Sequence, residues 1–567
     1  MRLMESGQID RPDCLKGEGI KRADFPKPEE FLAMLESEGL TERIGAYRKV
    51  LAVSEAVRTA GGRALLVGGS VRDVFFGKIA KDFDVEVYGL SPERLEEIVG
   101  EFVRSAGLER VSEVGKAFGI LKIPLGHGLD LDLSLPRTDS KIGEGHRGFA
   151  VKTDPDMGVA EAAKRRDFTM NALAADPLTG ELFDFCGGVE DIRNRRLRVT
   201  DPERFRDDPL RVLRGLQFIG RFGLAVEPKS AAIMREMAPL VRELPKERII
   251  DEWRKLLLKS ERPSLGLAAG MDMGVFREIH PELLPMAETE QEPDWHPEGN
   301  VWTHTLMSVD AASRLLREGK GADVREGDGG GENDGKRNGE GEDAFGERQA
   351  LTVLLATLCH DIGKPSVTEF SGGRIRSLGH EAAGEGPARR FLDGIGADRE
   401  TSDKVVSLVV NHLAPSTLYG DEFVRGRKVS DGAIRRLAKR IHPATIRELV
   451  LVAAADHLGR GPFTDLNSLK TMVMPPDRFP AKEWLLERAE RLAVTDSRPV
   501  SLTRGQDWLD LGFRPGKPVG RLIRLSDDLR DELGWSRERI LEAVRGSANA
   551  QEAIGRLEEE LGRGNGA

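Results

Sequence analysis

Residues 64–87 constrain the fold more than any other stretch of the chain. An apolar run at 64–67 stops at Gly68-Gly69, the pattern of a buried strand ending in a turn. Residues 71–76 can open a helix. Asp82-Phe83-Asp84-Val85-Glu86-Val87 then alternates polar with apolar, as a strand with one covered face does. Such a succession folds as a sheet with a helix laid on it. The alternation puts Asp82 and Asp84 on one face and Phe83, Val85 and Val87 on the other. Two adjacent carboxylates repel unless a cation lies between them, and Mg²⁺ favours such oxygen ligands, completing its shell with substrate phosphates. Gly68 and Gly69 let backbone N–H groups approach a polyphosphate closely.

The chain of 567 residues is long enough for three or four domains, and 39% hydrophobic residues supply their cores. No apolar run approaches bilayer length and the first residues lack an apolar signal core, so a cytoplasmic protein is expected. Cys14, Cys186 and Cys359 are far apart, without metal-ligand spacing, and read as reduced thiols. A net charge of −10 disfavours a broad nucleic-acid grip, so any RNA contact is local. The arginines crowded between Arg193 and Arg221 are one place for it, or else a solvated helical face.

Two further segments extend the first. Asp130-Leu131-Asp132-Leu133-Ser134-Leu135 repeats the alternation, so a neighbouring strand could add a third carboxylate, Asp132 first and Asp130 in reserve. Arg165-Arg166-Asp167-Phe168-Thr169-Met170-Asn171 reads as a helix start. Guanidinium forks suit phosphate oxygens, and Asp167 and Asn171, four apart on one helical face, can reach a ribose hydroxyl. Asp207-Asp208-Pro209-Leu210-Arg211 opens another helix, with Pro209 in its first turn. Asp208 can accept from the exocyclic amino group of cytosine or adenine while Arg211 donates to the ring nitrogen beside it. Uracil and guanine would leave that pair unmatched. A local Asp208–Arg211 ion pair fits the same spacing.

In this order and spacing, LLVGGSVRD…KDFDVEV, RRDFTMNAL and DDPLRVLR resemble the class II tRNA nucleotidyltransferase family, the CCA-adding enzymes and bacterial poly(A) polymerases, over residues 45–285. The resemblance implies an α+β head, a polymerase-β-like nucleotidyltransferase sheet with helices, followed by an all-helical neck and body and a helical tail. It implies that Asp82 and Asp84 bind catalytic Mg²⁺, with Asp132 beside them, and that Gly68, Gly69 and Arg72 hold the triphosphate. Arg166, Asp167 and Asn171 would face phosphates and ribose. Asp208 and Arg211 would read the base, with Arg214 nearby. The chain departs from the family at Asp207, where Glu is frequent, and at Gln217, where Arg is common. The implied reaction is template-independent addition of C and A to the 3′ end of tRNA from CTP and ATP, with no membrane and no protein partner. A-only or CC-only addition, and a poly(A) polymerase, are alternatives. Segment 136–164 sits where the family carries a loop linked to switching from C to A, which disfavours C-only addition.

A second constellation follows. His304, His360-Asp361, His380, His412 and Asp456 fall in apolar helical contexts, where an adjacent His-Asp pair is costly to bury unless it binds something. Imidazole with carboxylate suits a transition metal or Mg²⁺. The order H…HD…D resembles the HD phosphohydrolase superfamily, an all-helical metal-dependent fold. The resemblance implies that His304, His360, Asp361 and Asp456 ligate one divalent metal of unknown identity. His380 and His412 would complete a second metal site or contact a phosphate, and His296 is a further candidate. A hydrolase with a head that only binds nucleotide or RNA is the alternative from another class. The expected divisions are an extension at 1–42, head at 43–175, neck and body at 176–285, HD domain at 290–475 and tail at 480–567. Residues 321–349, with nine glycines, nine acids and four bases, read as a disordered insertion.

Overall fold

The computed structural model describes residues 25–80, 82–108, 120–141, 149–318, 345–462, 474–475 and 477–564. The expected extension up to residue 24 and most of the 321–349 insertion lie outside them. The described chain divides into two compact units, the boundary falling between Arg248 and Ile249, with Asp272–Glu278 joining the first unit.

The first unit is built on a six-stranded sheet. Its strands are β1 (Arg63–Val67), β2 (Phe83–Tyr88), β3 (Ile120–Gly126), β4 (Leu129–Ser134), β7 (Ala174–Ala175) and β8 (Leu182–Phe183), in the order β3-β4-β2-β1-β7-β8. A separate hairpin is formed by β5 (Arg137–Lys141) and β6 (Phe149–Thr153), inside segment 136–164. Strand β2 lies antiparallel to β1 and parallel to β4. Leu65, Val67, Tyr88, Met157, Ala162 and Ala174 form one buried cluster of this unit. The chain leaves β1 through Gly68, whose φ of +61° is a left-handed conformation costly for other residues, and enters the Gly69–Phe75 helix.

One expected helix is absent. Residues 165–171 follow the short Val159–Lys164 helix as a turn and bend, an extended Phe168 and a single 3₁₀ turn at Thr169–Asn171. Tertiary contact overrides the local pattern. Phe168, fully buried, meets Phe205 and Phe218 edge-on, and the Thr169 N–H donates to the Arg198 carbonyl at 2.9 Å.

Among the described residues, the second unit is helical apart from one two-stranded hairpin. Helices Val301–Glu318, Glu347–Cys359, Arg399–Asn411 and Ile446–Leu458 pack together. Their apolar faces close over one another, and Glu347–Cys359 is buried continuously from Ala350 to Cys359. That helix starts inside the expected insertion, so residues 345–349 belong to ordered structure, with the Gln349 side chain accepting from the Gly346 N–H at 3.2 Å. Trp508, Leu522, Leu529, Ile540 and Leu557 centre a separate core near the C-terminus.

Two candidate active sites

In the head, register decides which carboxylates meet. Asp84 on β2 lies opposite Asp132 on β4, and Lys122 on β3 lies opposite Asp132. Asp82, two residues before Asp84, shares its face. The Asp130 N–H donates to Asp82 Oδ1 at 3.1 Å, while the Asp130 carboxylate pairs with Lys122 at 2.8 Å. Lys122 thus takes up the reserve candidate, and Asp132 is the one left toward the Asp82/Asp84 face. Ser70, in the first turn after Gly68, receives the Asp84 N–H at 2.9 Å and donates to the Asp82 carbonyl at 3.3 Å, tying the glycine turn to this strand.

Loss of solvation pushes the Asp84 carboxyl up to about 6, and the charges of Asp132 and Asp82 add to the rise against Arg166 and Arg72. Asp132 rises for the same first reason, with Lys122 opposing. Its Oδ1 is buried without a hydrogen-bond partner among the described residues. A buried carboxylate oxygen without a hydrogen-bond partner, beside a carboxyl whose ionisation is disfavoured by burial and like charge, suits a cation, so these side chains fit Mg²⁺.

The arginines surround the turn. Arg72 is buried, pairs with Asp73 at 2.6 Å and donates to Asn171 Oδ1 at 2.6 Å. Its guanidinium lies within 3.6 Å of where a Cβ on Gly69 would stand, and that of Arg166 equally near Gly68. Asn171 donates to Asp167 Oδ1 at 2.8 Å, and Arg214 to Asp167 Oδ2 at 2.6 Å. Burial raises the Asp167 carboxyl, but Arg214 and the bonds from Asn171 and the Phe168 N–H outweigh it and hold it below the ordinary range.

Asp208 and Arg211 do not form the local pair their spacing allows. Asp208 Oδ2 takes Arg248 at 2.9 Å and its Oδ1 caps the Leu210 N–H at 3.0 Å. Arg211 donates to the carbonyls of Arg204 and Arg165 at 2.7 and 2.9 Å. Sequence spacing gave no sign of Arg248, forty residues on.

In the second unit the structure brings all six expected residues together. His304 Nε2 lies 3.2 Å from His360 Nε2 and 3.1 Å from Asp456 Oδ1. His360 Nε2 lies 3.3 Å from Asp361 Oδ2. The other Asp361 oxygen faces His380 Nε2 at 3.3 Å and His412 Nε2 at 4.0 Å. Asp361 therefore stands between two ligand groups. The far nitrogens are all engaged. His360, His380 and His412 donate through Nδ1 to the carbonyls of Thr357, Ser377 and Val409 at 2.7, 2.8 and 2.7 Å. A carbonyl only accepts, so each of these Nδ1 atoms carries a proton, and each ring when neutral turns a lone pair on Nε2 inward. Lone pairs meeting at 3.2 Å repel without a cation between them, so this donor set fits divalent metal. Lys364 Nζ reaches Asp361 Oδ2 at 2.7 Å and Arg460 reaches Asp456 at 3.1 Å, partly balancing the carboxylates. Sequence reading missed Glu298, a buried carboxylate that takes His304 Nδ1 at 2.8 Å and His296 Nδ1 at 2.9 Å. Only its place two residues after His296 hints at it.

Comparison with known proteins adds independent findings. Residues 64–198 match the poly A polymerase head domain, and residues 223–286 a family described as a probable RNA and SrmB-binding site of polymerase A. The multifunctional CCA protein of Xanthomonas campestris pv. campestris (strain B100) is 32% identical over 400 residues, covering 70% of this chain and 85% of that protein. The crystal structure of the Bacillus stearothermophilus CCA-adding enzyme in complex with CTP aligns with a TM-score of 0.58 at 19% identity, covering 92% of this chain and 99% of that one. The Thermotoga maritima CCA-adding enzyme complexed with tRNA_CCA aligns with a TM-score of 0.52 at 16% identity, covering 95% and 100%. At these identities the two structures speak to the fold, an α/β head with a mostly helical remainder.

Proposed function

The chain belongs to the multifunctional CCA protein family of class II CCA-adding enzymes, and from that premise we propose that it adds C and A to the 3′ end of tRNA from CTP and ATP by two-metal nucleotidyl transfer. The observation that supports this most is the in-register pair Asp84–Asp132, with Asp82 on the same face and the Gly68 turn tied to it through Ser70. The tRNA 3′-hydroxyl oxygen attacks the α-phosphorus, its proton is lost, and the bond to pyrophosphate breaks. Mg²⁺ held by Asp82, Asp84 and Asp132 supplies acidification of that hydroxyl and stabilisation of the leaving pyrophosphate. Gly68, Gly69, Arg72 and Arg166 bind and orient the triphosphate. Asn171, set by Arg72 and Asp167, faces the ribose. Asp208 and Arg211 read the base, Asp208 turning from Arg248 toward the exocyclic amino group. Arg214 fixes Asp167 below them. Incubating tRNAs lacking one, two or three terminal nucleotides with labelled CTP and ATP tests the reading. Full CCA, A-only and CC-only enzymes give different product lengths, and a head that only binds gives none.

The convergence of lone pairs in the second unit favours an additional activity, a metal-dependent phosphohydrolase of the HD type. His304, His360, Asp361 and Asp456 would hold a divalent metal, with a second position at His380 and His412, and that metal would supply Lewis acidity toward water and a phosphate ester. Lys364 and Arg460 offer positive charge to a phosphate. Removal of terminal phosphates, or opening of 2′,3′-cyclic phosphates, would leave the free 3′-hydroxyl that nucleotide addition needs. Persistence of both hydrolytic activities in a His360→Ala/Asp361→Ala protein would exclude this site as their source.

A further inference from the structure

A hairpin of the second unit rises from the histidine–aspartate centre and has no part in the chemistry above. Glu369–Ser371 pairs antiparallel with Arg374–Arg376 around a Gly372-Gly373 tip. Both feet stand on the centre. The Thr368 N–H donates to the Lys364 carbonyl at 2.9 Å. The Ser377 carbonyl receives His380 Nδ1 at 2.8 Å, and the hydroxyls of Ser377 and Thr368 meet at 2.7 Å. The flank is pinned too. The Ile375 N–H donates to Glu292 Oε2 at 2.9 Å, and Arg374 reaches Asp294 at 3.4 Å. Alone, a two-stranded hairpin is barely stable in water. These anchors hold it beside the metal-ligand groups.

What the hairpin presents is unusual for a surface with no partner. Register sets Phe370 opposite Ile375 on one face, and Glu369 opposite Arg376 on the other. Phe370 is 76% exposed, and Leu378, just past the second strand, 75%. Arg376 is exposed and forms no ion pair among the described residues, even with Glu369 across the ladder. A bare aromatic ring on one face of a short ribbon and an uncommitted guanidinium on the other are two groups that hold single-stranded nucleic acid crossing the ribbon's edge, a base stacking on the first and a phosphate meeting the second.

We propose that hairpin 369–376 is the platform for the 3′-terminal nucleotides of RNA hydrolysed at the histidine–aspartate centre, Phe370 stacking a base and Arg376 holding a backbone phosphate. The proposal rests on the phosphohydrolase reading. A mononucleotide reaches the centre without needing the hairpin, whereas the upstream nucleotides of an oligomer lie across it. The platform therefore acts on the affinity for long substrates and leaves the bond-breaking step alone.

The test uses the full-length, metal-loaded protein and its Phe370→Ala/Arg376→Ala double variant. The substrates are 2′,3′-cyclic AMP and a short single-stranded RNA ending in a 2′,3′-cyclic phosphate. The double substitution raises KM for the RNA about ten-fold or more. It leaves kcat and the mononucleotide kinetics unchanged, which also shows that the centre has kept its fold. Equal KM values for the RNA in both proteins overturn the platform. If the unmodified protein hydrolyses neither substrate, the phosphohydrolase reading fails on its own. Fluorescence anisotropy with the same labelled RNA then decides the platform separately, an unchanged Kd in the variant overturning it and a ten-fold weaker one sustaining it.

Discussion

His304 and His360 point their Nε2 atoms at each other across 3.2 Å, with both Nδ1 atoms committed elsewhere, to Glu298 and to the Thr357 carbonyl. Two neutral rings held this way repel, so the folded protein spends stability on a geometry that only a cation or a proton relieves. A metal ion between the rings, or a proton on one of them, relieves that repulsion. Burial lowers His304, but the bond to Asp456 and the bond to Glu298 outweigh it and raise its pKa.

Metal should therefore stabilise this unit markedly. Binding to the folded state alone contributes about 2.7 kcal/mol at a hundred times Kd. A thermal unfolding scan should show a rise in Tm on adding a divalent metal and its loss on adding a chelator. In His360→Ala the metal-dependent rise should disappear. An equal rise in that variant would place the stabilising ion elsewhere.

Glu298 should matter through His304 rather than through substrate. Replacing it with Gln weakens the acceptor that fixes the ring and its tautomer, and loss of such a partner costs about 10–100-fold in metal affinity. Titration of the metal-free protein followed by calorimetry reads this directly. An affinity within two-fold of the unmodified protein would show that Thr357, Val409 and Ser377 suffice to orient the cluster.

The buried Asp167 predicts an acid-sensitive fold. Its carboxyl is depressed on folding, so its contribution is present above the ordinary carboxylate range, near pH 4, and is lost as pH falls through the lower folded value. Arg214→Ala removes one of its partners but leaves Asn171 and the Phe168 N–H. Because Arg214 is partly exposed, the cost at pH 7 is about 1–3 kcal/mol, below that of a fully buried pair. Urea unfolding at pH 7 and pH 3 should show the two proteins differing more at the higher pH. A constant difference would mean that Arg214 acts through packing against Phe218, which its guanidinium overlies at 5.4 Å.

Much of this arrangement is legible in the residues alone, and the failures share one cause. The glycine turn, the alternating strands and the in-register position of Asp132 follow from period-two patterning and local conformation. The six histidines and aspartates of the second unit stand out because such side chains are rare in apolar helices. What the sequence hides depends on distant partners. Asp167 and Asn171 do meet, but through a 3₁₀ turn, because Phe168 is drawn between Phe205 and Phe218. Arg248 claims Asp208 from forty residues away. Glu298 is a single carboxylate in a loop, and no spacing distinguishes it from its acidic neighbours.

Base choice offers a sharper test of the head. If Asp208 accepts from the exocyclic amino group, Asp208→Asn loses that acceptor charge and can turn a donor toward a carbonyl instead. Discrimination of CTP against UTP should fall by about 10–100-fold, the range set by leaving a buried polar group unmatched. Arg248→Ala should do the reverse of harm to the unmodified carboxylate, freeing it for the base while leaving selectivity intact. Single-turnover incorporation with each nucleotide separates the two. Equal loss of selectivity in both variants would show that Arg248 positions Asp208 for the base rather than competing with it.

The pH dependence of nucleotide addition follows from Asp84. Its folded pKa of about 6 lies above the ordinary value of 3.8. The sign is opposite to that of Asp167, since the protonated form is favoured in the fold and a metal must displace that proton. Mg²⁺ affinity should therefore be full above pH 7 and fall about ten-fold per pH unit below 6, one proton being released per ion bound. Incorporation measured against Mg²⁺ concentration from pH 5 to 8 would reveal this as a rising half-saturation point at a constant maximal rate near neutrality. Asp132→Asn removes a neighbouring charge that hinders ionisation of Asp84, shifting the break to lower pH even as it weakens binding throughout. A break that stays at pH 6 in Asp132→Asn would assign the titration to another group.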